Sequence, residues 1–233
     1  MLSVISLNKR INDIQGRIIK AAINANRNPQ HITLVAVTKS HPRKTWEHAL
    51  NANLTHLGEN RILEAQEKSE NFNNRNKIEL HLIGHLQSNK VRKAVNIFDI
   101  IQTVDSIKIA RRINNICKEK SIRKQIFIQV NTGNDDNKFG FSTKNAIIAA
   151  REITKMKNLH LSGIMTIPPI GLTTTDLSFI YRKTNEVRNK ICSSINDNCQ
   201  NLSMGMSNDY EIAIAEGATH IRIGTSLFGS RKP

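Results

Sequence analysis

Lys39 is the first candidate for a reactive side chain in this sequence. It ends a short, almost entirely apolar stretch. The stretch is Leu34-Val35-Ala36-Val37-Thr38-Lys39, and its continuous β-branched, apolar character predicts a buried strand. A lysine at such a strand end is partly desolvated. Desolvation lowers the pKa of a lysine, and the neutral amine is a nucleophile towards aldehydes. The alternative is a strand-end lysine whose ammonium group simply reaches solvent.

Two glycine-containing segments near the end of the chain are typical of loops that bind phosphate. They are Ser203-Met204-Gly205-Met206-Ser207-Asn208-Asp209 and Arg222-Ile223-Gly224-Thr225-Ser226. Each combines a glycine with hydroxyl side chains, and Ser207 is predicted to cap the helix that follows it. Helix N-termini bind phosphate through their N–H groups and the helix dipole. Taken alone, Ser207 would be an ordinary helix cap.

Together with Lys39, these segments predict a phosphorylated aldehyde as the ligand: pyridoxal 5'-phosphate (PLP) held as a Schiff base. Such a site needs a partner for the ring nitrogen of the cofactor, either an acid or an arginine. Arg222 is the candidate. Because arginine stays protonated, it would leave the ring nitrogen unprotonated and the cofactor a weaker electron sink. The alternative is an arginine inside the fold that pairs with a carboxylate.

The elements that would position these residues alternate between strand and helix. An amphipathic helix is predicted first, at about 3–26, because apolar residues at 4, 7, 11, 14 and 18 form one helical face. The predicted strands span residues 32–39, 55–58, 79–84, 100–104, 125–130, 159–165, 202–206 and 220–223. The predicted helices between them span about 43–51, 59–70, 88–95, 106–120, 143–156, 175–195 and 207–216, with a short turn after Gly224.

Eight strands that alternate with helices predict an α/β fold, a single closed (β/α)8 TIM barrel with an extra N-terminal helix. No change of composition marks a second domain, so residues 1–233 are expected to form one domain. An open, doubly wound sheet is the alternative. That fold usually has a glycine-rich turn after its first strand, where this chain has Thr38-Lys39-Ser40-His41-Pro42.

In a barrel of this kind, the functional site lies at the carboxyl ends of the strands. The residues expected there are Lys39, Glu59, Asn60, His85, Gln102, Asp105, Asn131, Met165, Thr166, Met204 to Ser207, Arg222 and Gly224. A lysine, two hydroxyl-bearing loops and an arginine are therefore predicted to meet at the opening formed by the carboxyl ends of the strands, which we call the mouth of the barrel.

The composition excludes several other classes of protein. No apolar run approaches the roughly 20 residues of a membrane span, and the N-terminus lacks a signal-peptide pattern, so a cytoplasmic protein is expected. The net charge is +15, yet the basic residues are spread along the chain and only 4% of residues are aromatic. This distribution does not favour specific nucleic-acid binding.

The three cysteines, Cys117, Cys192 and Cys199, are an odd number without metal-ligand spacing. Zinc is therefore not expected, and no metal ligands are predicted. Cys192 and Cys199 could meet across a loop, but reduced thiols are the expectation in a reducing compartment.

Seven segments of the chain follow the order and spacing of a known family. They are Val35 to Lys39, Gly58 to Arg61, His81 to Lys90, Gly163 to Pro168, Leu202 to Asp209, Arg222 to Thr225, and Phe228-Gly229. Over nearly its whole length the chain resembles the PLP homeostasis proteins, which are similar to the N-terminal barrel of alanine racemase standing alone.

This resemblance implies roles for particular residues. It implies that Lys39 is the PLP lysine, that Ser207, Gly224 and Thr225 surround the phosphate, and that Asn60, Met204 and Arg222 surround the ring. No catalytic residue is implied. A further matching segment, Lys138-Phe139-Gly140, has a role that the resemblance leaves open.

The resemblance also implies a function, that of a PLP-binding protein in intracellular vitamin B6 and amino-acid homeostasis that holds the cofactor without robust catalysis. Its expected partners are PLP and PLP-dependent apo-enzymes as acceptors, with no membrane and no specific nucleic acid, and it is expected to be a monomer. One alternative is an enzyme, either a small PLP-dependent amino-acid racemase or a related PLP lyase. The other is a basic nucleic-acid-binding protein built on a barrel.

Racemisation is not expected, because it needs two placed acid–base groups, one on each face of the substrate. Lys39 can serve one face. In the racemases that this chain resembles, the other face is served by a tyrosine from a C-terminal β domain, which we expect to be absent here. The two tyrosines of this chain, Tyr181 and Tyr210, are predicted to lie in helices rather than at strand ends.

Overall fold

A computed structural model of the chain describes residues 4–70 and 72–229. Its strands are β1 Thr33–Val37, β2 His56–Glu59, β3 Glu79–Leu82, β4 Ile100–Val104, β5 Lys124–Gln129, β6 Leu159–Met165, β7 Asn201–Met206 and β8 His220–Ile223. All eight are parallel, and they close into a barrel because β8 pairs with β1, Thr33 lying beside His220 and Val35 beside Arg222. The predicted barrel is confirmed.

Helices follow the strands and cover the barrel. They are α1 Val4–Asn24, α2 Lys44–Asn51, α3 Ile62–Ser69, α4 Val91–Ile97, α5 Ile107–Glu119, α6 Thr143–Ile153, α7 Thr174–Ser194, α8 Tyr210–Ala215 and α9 Thr225–Phe228. Hydroxyl side chains cap three of them. Ser106 Oγ accepts a hydrogen bond from the Ile109 N–H at 3.3 Å, and Ser142 and Thr173 cap α6 and α7 in the same way. These caps satisfy N–H groups that have no acceptor within the helix.

The predicted N-terminal helix is present as α1, which packs against α8 and α9. Four of its predicted apolar positions, Leu7, Ile11, Ile14 and Ile18, are buried. The predicted start at residue 3 and the side chain of residue 4 lie outside the described residues. On the exposed side of the contact, Arg17 donates two hydrogen bonds to Glu211, both 3.0 Å long.

Three predicted helices begin three residues later than expected. One is α4, which follows a 3-10 turn at Ser88–Lys90. Glu59 is the last residue of β2, so α3 begins only at Ile62. The helix predicted from Ser207 begins at Tyr210, and its N-cap is Asp209, so the prediction that Ser207 caps a helix is wrong. The physical reason is a turn, because Asp209 Oδ1 accepts from the Met206 N–H and holds residues 206–209 outside the helix.

The inside of the barrel is unusually polar. Apolar filling comes from a small cluster of Ile100, Phe127 and Met165, while His81, Gln102, Ser203, His220 and Arg222 are all buried. Burial lowers the pKa of His81 well below its usual value, and burial together with nearby positive charge lowers the pKa of His220 to about 3. Both imidazoles are therefore neutral near pH 7.

A chain of hydrogen bonds crosses this interior. Arg222 donates to Ser203 Oγ at 2.7 Å, and Ser203 Oγ donates to Gln102 Oε1 at 2.7 Å. Gln102 Nε2 lies 2.8 Å from His81 Nδ1. The chain connects residues near the two ends of the barrel and satisfies polar groups that would otherwise be costly to bury.

The cysteines and the hydropathy of the helices complete the description of the fold. Cys117, Cys192 and Cys199 are all free thiols. None of the helices in the described part of the chain combines the length and the apolar character that a bilayer crossing requires.

Candidate functional site

Lys39 lies two residues beyond the end of β1, where the chain leaves the barrel. Its side chain is half-buried and lines a cavity of about 570 Å³ at the carboxyl end of the barrel. Ser40, the next residue, has a φ of 61°, so the chain turns sharply after the lysine. The position of Lys39 is therefore set by a strand on one side and a tight turn on the other.

A buried network behind the barrel wall holds the main chain at Thr38. Lys68 Nζ donates to the Thr38 carbonyl oxygen at 2.9 Å and to Glu59 Oε1 at 2.7 Å. Thr38 Oγ1 also donates to Glu59 Oε1 at 2.7 Å, and Trp46 Nε1 donates to Thr38 Oγ1 at 2.9 Å. Burial raises the pKa of Glu59, and the Lys68 ammonium opposes that rise.

The same network reaches the residue after Lys39. Glu64 Oε1 accepts from the Ser40 N–H at 2.6 Å and from Lys68 Nζ at 2.7 Å. Both neighbours of Lys39 are thus anchored to one ion-pair cluster. The expectation that Glu59 faces the mouth is wrong, because side chains alternate along a strand and Glu59 faces the helices. The only sequence pattern that points to this network is the spacing of Glu64 and Lys68, four residues apart on α3.

The loops after β7 and β8 lie side by side at the cavity. Ser207, Gly224 and Thr225 all line it together with Lys39. The Ser226 N–H lies 3.4 Å from Ser207 Oγ, which accepts from it and links the two loops. Gly224 precedes the first residue of α9 as its N-cap, so the first N–H groups of that short helix have no acceptor within it.

Two glycines at the ends of β7 and β8 lie close to neighbouring elements. Gly205 has a φ of 91°, and an added Cβ would lie 2.6 Å from Ala213 Cβ, so any other residue would be strained and would clash with α8. An added Cβ on Gly224 would lie 3.2 Å from the Val37 carbonyl oxygen. Gly224 thus allows the β8 loop to approach β1 just before Lys39.

Arg222 lines the cavity from inside the barrel and is only 4% exposed. In addition to its bond to Ser203, it donates to the Thr166 carbonyl oxygen at 2.9 Å. Burial lowers the pKa of Arg222, while Tyr181 and Asp209 raise it. The Ser203 and Thr166 acceptors are both neutral oxygens, and none of the ion pairs among the described residues includes Arg222.

Asn60 and Met204, the two other predicted ligands, do not line this cavity. Asn60 follows β2 and is half-buried, and its Oδ1 is buried with no hydrogen-bond partner among the described residues. Met204 is fully buried and belongs to the large hydrophobic cluster that the helices cover. The structure thus brings together five of the seven predicted ligands, Lys39, Ser207, Arg222, Gly224 and Thr225.

The segment Lys138-Phe139-Gly140 lies along the rim of the mouth. The Phe139 ring stacks on His85, with ring centres 3.6 Å apart, and Lys138 Nζ donates to the Pro168 carbonyl oxygen. Burial lowers the pKa of Lys138, and Asp135 opposes this shift. This loop therefore connects the ends of β3 and β6 across the rim.

The remaining strand-end residues have structural contacts. His85 Nδ1 lies 2.9 Å from Asp105 Oδ2, and Asn131 Nδ2 donates to the Asp135 carbonyl oxygen at 2.8 Å within its own loop. Thr166 Oγ1 donates to the Val130 carbonyl oxygen at 2.8 Å. Gln102 lies deep in the barrel and not at the mouth, because its hydrogen bonds are to His81 and Ser203.

Known proteins resemble this chain over nearly its whole length. A family described as alanine racemase, N-terminal domain, matches residues 19–232. A pyridoxal phosphate homeostasis protein of Synechocystis is 38% identical over 203 residues, which are 87% of this chain and 93% of that relative. Another from Aquifex aeolicus is 34% identical over 224 residues, 96% of this chain and 98% of that one.

A solved structure is also similar. It is PipY of Synechococcus elongatus with PLP bound, which is 31% identical to this chain and superposes on it with a TM-score of 0.84. The similarity covers 96% of this chain and 100% of PipY. It therefore includes the barrel together with the loops at its mouth.

Proposed function

The chain belongs to the pyridoxal phosphate homeostasis protein family, and on that premise we propose that it binds PLP at the carboxyl end of its barrel. Its function is then to hold PLP for intracellular vitamin B6 and amino-acid homeostasis, without robust catalysis of its own. The observation that carries this proposal is the placement of Lys39 in one cavity with Arg222 and with the loops after β7 and β8.

The residues at this cavity fit PLP in size and in chemistry. A volume of about 570 Å³ is typical of small-molecule sites, which range over roughly 300–1,000 Å³. Lys39 supplies the amine that the cofactor requires. Ser207, Thr225 and the buried Arg222 add polar groups at the same cavity.

Lys39 has the covalent role in this proposal. When bound, PLP supplies an aldehyde that condenses with a lysine amine to a Schiff base, and a ring that withdraws electrons. The chain contributes a fixed position for that amine, since Thr38 and Ser40 on either side are held by the Glu59–Lys68–Glu64 cluster.

The phosphate is proposed to lie against the loops after β7 and β8. Ser207 and Thr225 offer hydroxyl groups there, and Gly224 leaves the main chain accessible at the start of α9. Main-chain N–H groups and hydroxyls are common phosphate ligands. The small side chains in these two loops leave space for the phosphate oxygens to approach the backbone.

Arg222 is proposed to face the ring nitrogen, whereas Asn60 and Met204 do not line the cavity and are given no contact with the ring. Ser203 and the Thr166 carbonyl hold the Arg222 guanidinium in place. Because arginine keeps its protons, it can donate to the ring nitrogen but does not protonate it. A ring nitrogen without a proton makes a weaker electron sink, which opposes catalysis of carbanion chemistry.

The racemase alternative has less support in the described residues. A second acid–base group would have to face the cavity opposite Lys39. Tyr181 lies in α7 and Tyr210 in α8, and both are buried with at most 1% exposure. Burial raises the pKa of both hydroxyls, which makes them still poorer acid–base groups.

A visible spectrum tests the proposal. Purified protein mixed with PLP should show the absorption band of a lysine-linked PLP, and Lys39→Ala should abolish it. Lys44→Ala, which removes an exposed lysine at the start of α2, is the matched control and should retain the band. A band that survives in Lys39→Ala would contradict the proposed site.

The absence of robust catalysis is tested separately. PLP-loaded protein is incubated with L-alanine and a panel of other L-amino acids, and the enantiomers are resolved. We expect no racemisation at a useful rate. Turnover in the usual enzyme range of about 1–1,000 per second would refute the homeostasis function and favour the racemase.

The remaining proposals concern the location of the protein, its oligomeric state and its partners. We propose that the protein works in the cytoplasm as a monomer formed by one domain of residues 1–233, and that it passes PLP to apo-enzymes. The Lys39 side chain is only half-buried at the mouth, which supports exchange of the cofactor. Size-exclusion chromatography with light scattering would measure the mass of the protein in solution. Transfer of PLP to an apo-enzyme that is faster than release of PLP into buffer would support direct transfer.

A further inference from the structure

Three side chains with metal-ligating atoms meet at the amino end of the barrel, opposite the Lys39 cavity. They are His56, the first residue of β2, and Glu79 and His81 of β3. The parallel register places His56 beside Glu79, and His81 lies beside Gly58. The proposed PLP site uses none of these residues.

The separations of the three ligand atoms suit a small cation. His56 Nδ1 lies 3.2 Å from His81 Nε2, and Glu79 Oε1 lies 3.7 Å from each nitrogen. In the plane of the three atoms, the point equidistant from them is about 2.1 Å from each. This is the usual length of a Zn²⁺–N or Zn²⁺–O bond, about 2.0–2.2 Å. A metal displaced from that plane towards a fourth ligand lies slightly farther from each atom.

The donor set also suits a transition metal. Two imidazoles and one carboxylate form a zinc ligand set that leaves the fourth position of a tetrahedron open. The His56 and Glu79 side chains are 34% and 43% exposed, whereas the His81 side chain is buried. A hydrated cation can therefore enter from solvent and meet a ligand that is fixed within the barrel.

We propose that His56, Glu79 and His81 form a binding site for a divalent transition metal of the zinc type, with water in the fourth position. This inference goes beyond the proposed function and does not depend on it. It differs from the expectation that zinc is absent, which rested on cysteine spacing. The ligands here come from two strands, and only the register of those strands brings them together.

The neighbour of His81 inside the barrel is Gln102. Metal-bound histidines usually place their other ring nitrogen against a carbonyl or carboxylate oxygen, whereas the atom 2.8 Å from His81 Nδ1 is the amide nitrogen Nε2 of Gln102. With a metal on His81 Nε2, the imidazole proton lies on Nδ1, so the Gln102 amide must turn by about 180° to bring its oxygen to that proton. The same turn reverses the hydrogen bond in which Ser203 Oγ now donates to Gln102 Oε1.

Equilibrium dialysis of the untagged full chain against Zn²⁺ tests the site, with bound metal measured by mass spectrometry. The variants are His56→Ala and Glu79→Gln, whose side chains are partly exposed and whose loss should not unfold the barrel. His31→Ala, which removes an exposed histidine outside the cluster, is the matched control. Anomalous X-ray scattering from crystals grown with Zn²⁺ gives the position of the metal.

About one Zn²⁺ per chain is expected in the wild type and in His31→Ala. The affinity should fall in His56→Ala and Glu79→Gln by more than the roughly tenfold to hundredfold seen for second-shell changes. Zinc should also raise the unfolding temperature of the wild type and not that of these variants. Wild-type protein without stoichiometric zinc, or variants that bind it as tightly as wild type, would overturn the proposal.

Discussion

The two ends of the barrel present polar groups in different ways. At the carboxyl end, Lys39, Ser207 and Thr225 lie in the segments that follow strands, and they surround a cavity. At the amino end, His56 and Glu79 are the first residues of their strands. Loop residues can surround a whole ligand, whereas neighbouring strand residues can only bring a few atoms close together. The first arrangement suits an organic cofactor, and the second suits a single ion.

If the two ends act separately, single substitutions should abolish one function and leave the other. Lys39→Ala should lose the visible band of bound PLP completely and keep about one Zn²⁺ per chain. His56→Ala should give the opposite result. Absorption spectra and zinc dialysis on the same preparations measure both. Loss of both functions in either variant would mean that the two ends are not independent.

Stability should depend more strongly on the buried cluster at the carboxyl end than on the exposed groups at the amino end. Lys68→Ala leaves the Glu59 carboxylate buried without its cation and should lower the free energy of unfolding by about 3–5 kcal/mol. Without zinc, His56→Ala should cost at most about 1 kcal/mol, because that side chain is partly exposed. Urea denaturation of both variants and of the control Lys44→Ala gives these values. Equal losses in Lys68→Ala and Lys44→Ala would show that the cluster does not stabilise the Lys39 turn.

Substitutions in the loops after β7 and β8 should weaken only the binding of PLP at the carboxyl end of the barrel. Ser207→Ala and Thr225→Val each remove one hydroxyl, and a hydrogen bond to a charged group contributes about 1.5–3 kcal/mol. PLP affinity should therefore fall roughly tenfold to a hundredfold. The affinity for unphosphorylated pyridoxal should remain that of the wild type. An equal loss of pyridoxal affinity would show that these residues do not contact the phosphate.

Breaking the chain of hydrogen bonds that crosses the barrel interior should change stability and PLP affinity least. Ser203→Ala removes the hydroxyl between Arg222 and Gln102, and the expected loss of unfolding free energy is about 1 kcal/mol. Arg222 keeps its bond to the Thr166 carbonyl, so PLP affinity should change by less than about threefold, within the effect of one weak hydrogen bond. Fluorescence titration with PLP measures this. A much larger loss would mean that Ser203 is needed to position Arg222.

The fold could be predicted from the sequence because its elements are strongly periodic. β4, β6 and β8 have their predicted bounds, since a polar residue or a glycine adjoins each end of these strands. The mouth could be predicted because carboxyl ends of parallel strands lie on one side of a barrel. Lys39 and Arg222 therefore meet at the cavity although they are far apart in the chain.

Other features depend on register and on competing contacts, which the sequence does not reveal. The face of β2 on which the Glu59 side chain lies depends on the pleat of a four-residue strand. A shift of the strand register by one residue would move that side chain to the opposite face. Ser207 was expected to be a cap, but Asp209 competes for that position and holds the preceding turn. The cluster of His56, Glu79 and His81 could not be foreseen, because it requires the pairing of β2 with β3.

Chemical trapping of the cofactor tests the central claim most directly. PLP-loaded protein is reduced with borohydride, digested and mapped for the lysine that carries the pyridoxyl group. Lys138 is the informative competitor, because it lies at the rim of the same mouth and burial lowers its pKa. We expect the modification on Lys39, with Lys138 unmodified. A pyridoxyl group on Lys138 or Lys90, with Lys39 unmodified, would contradict the proposed site.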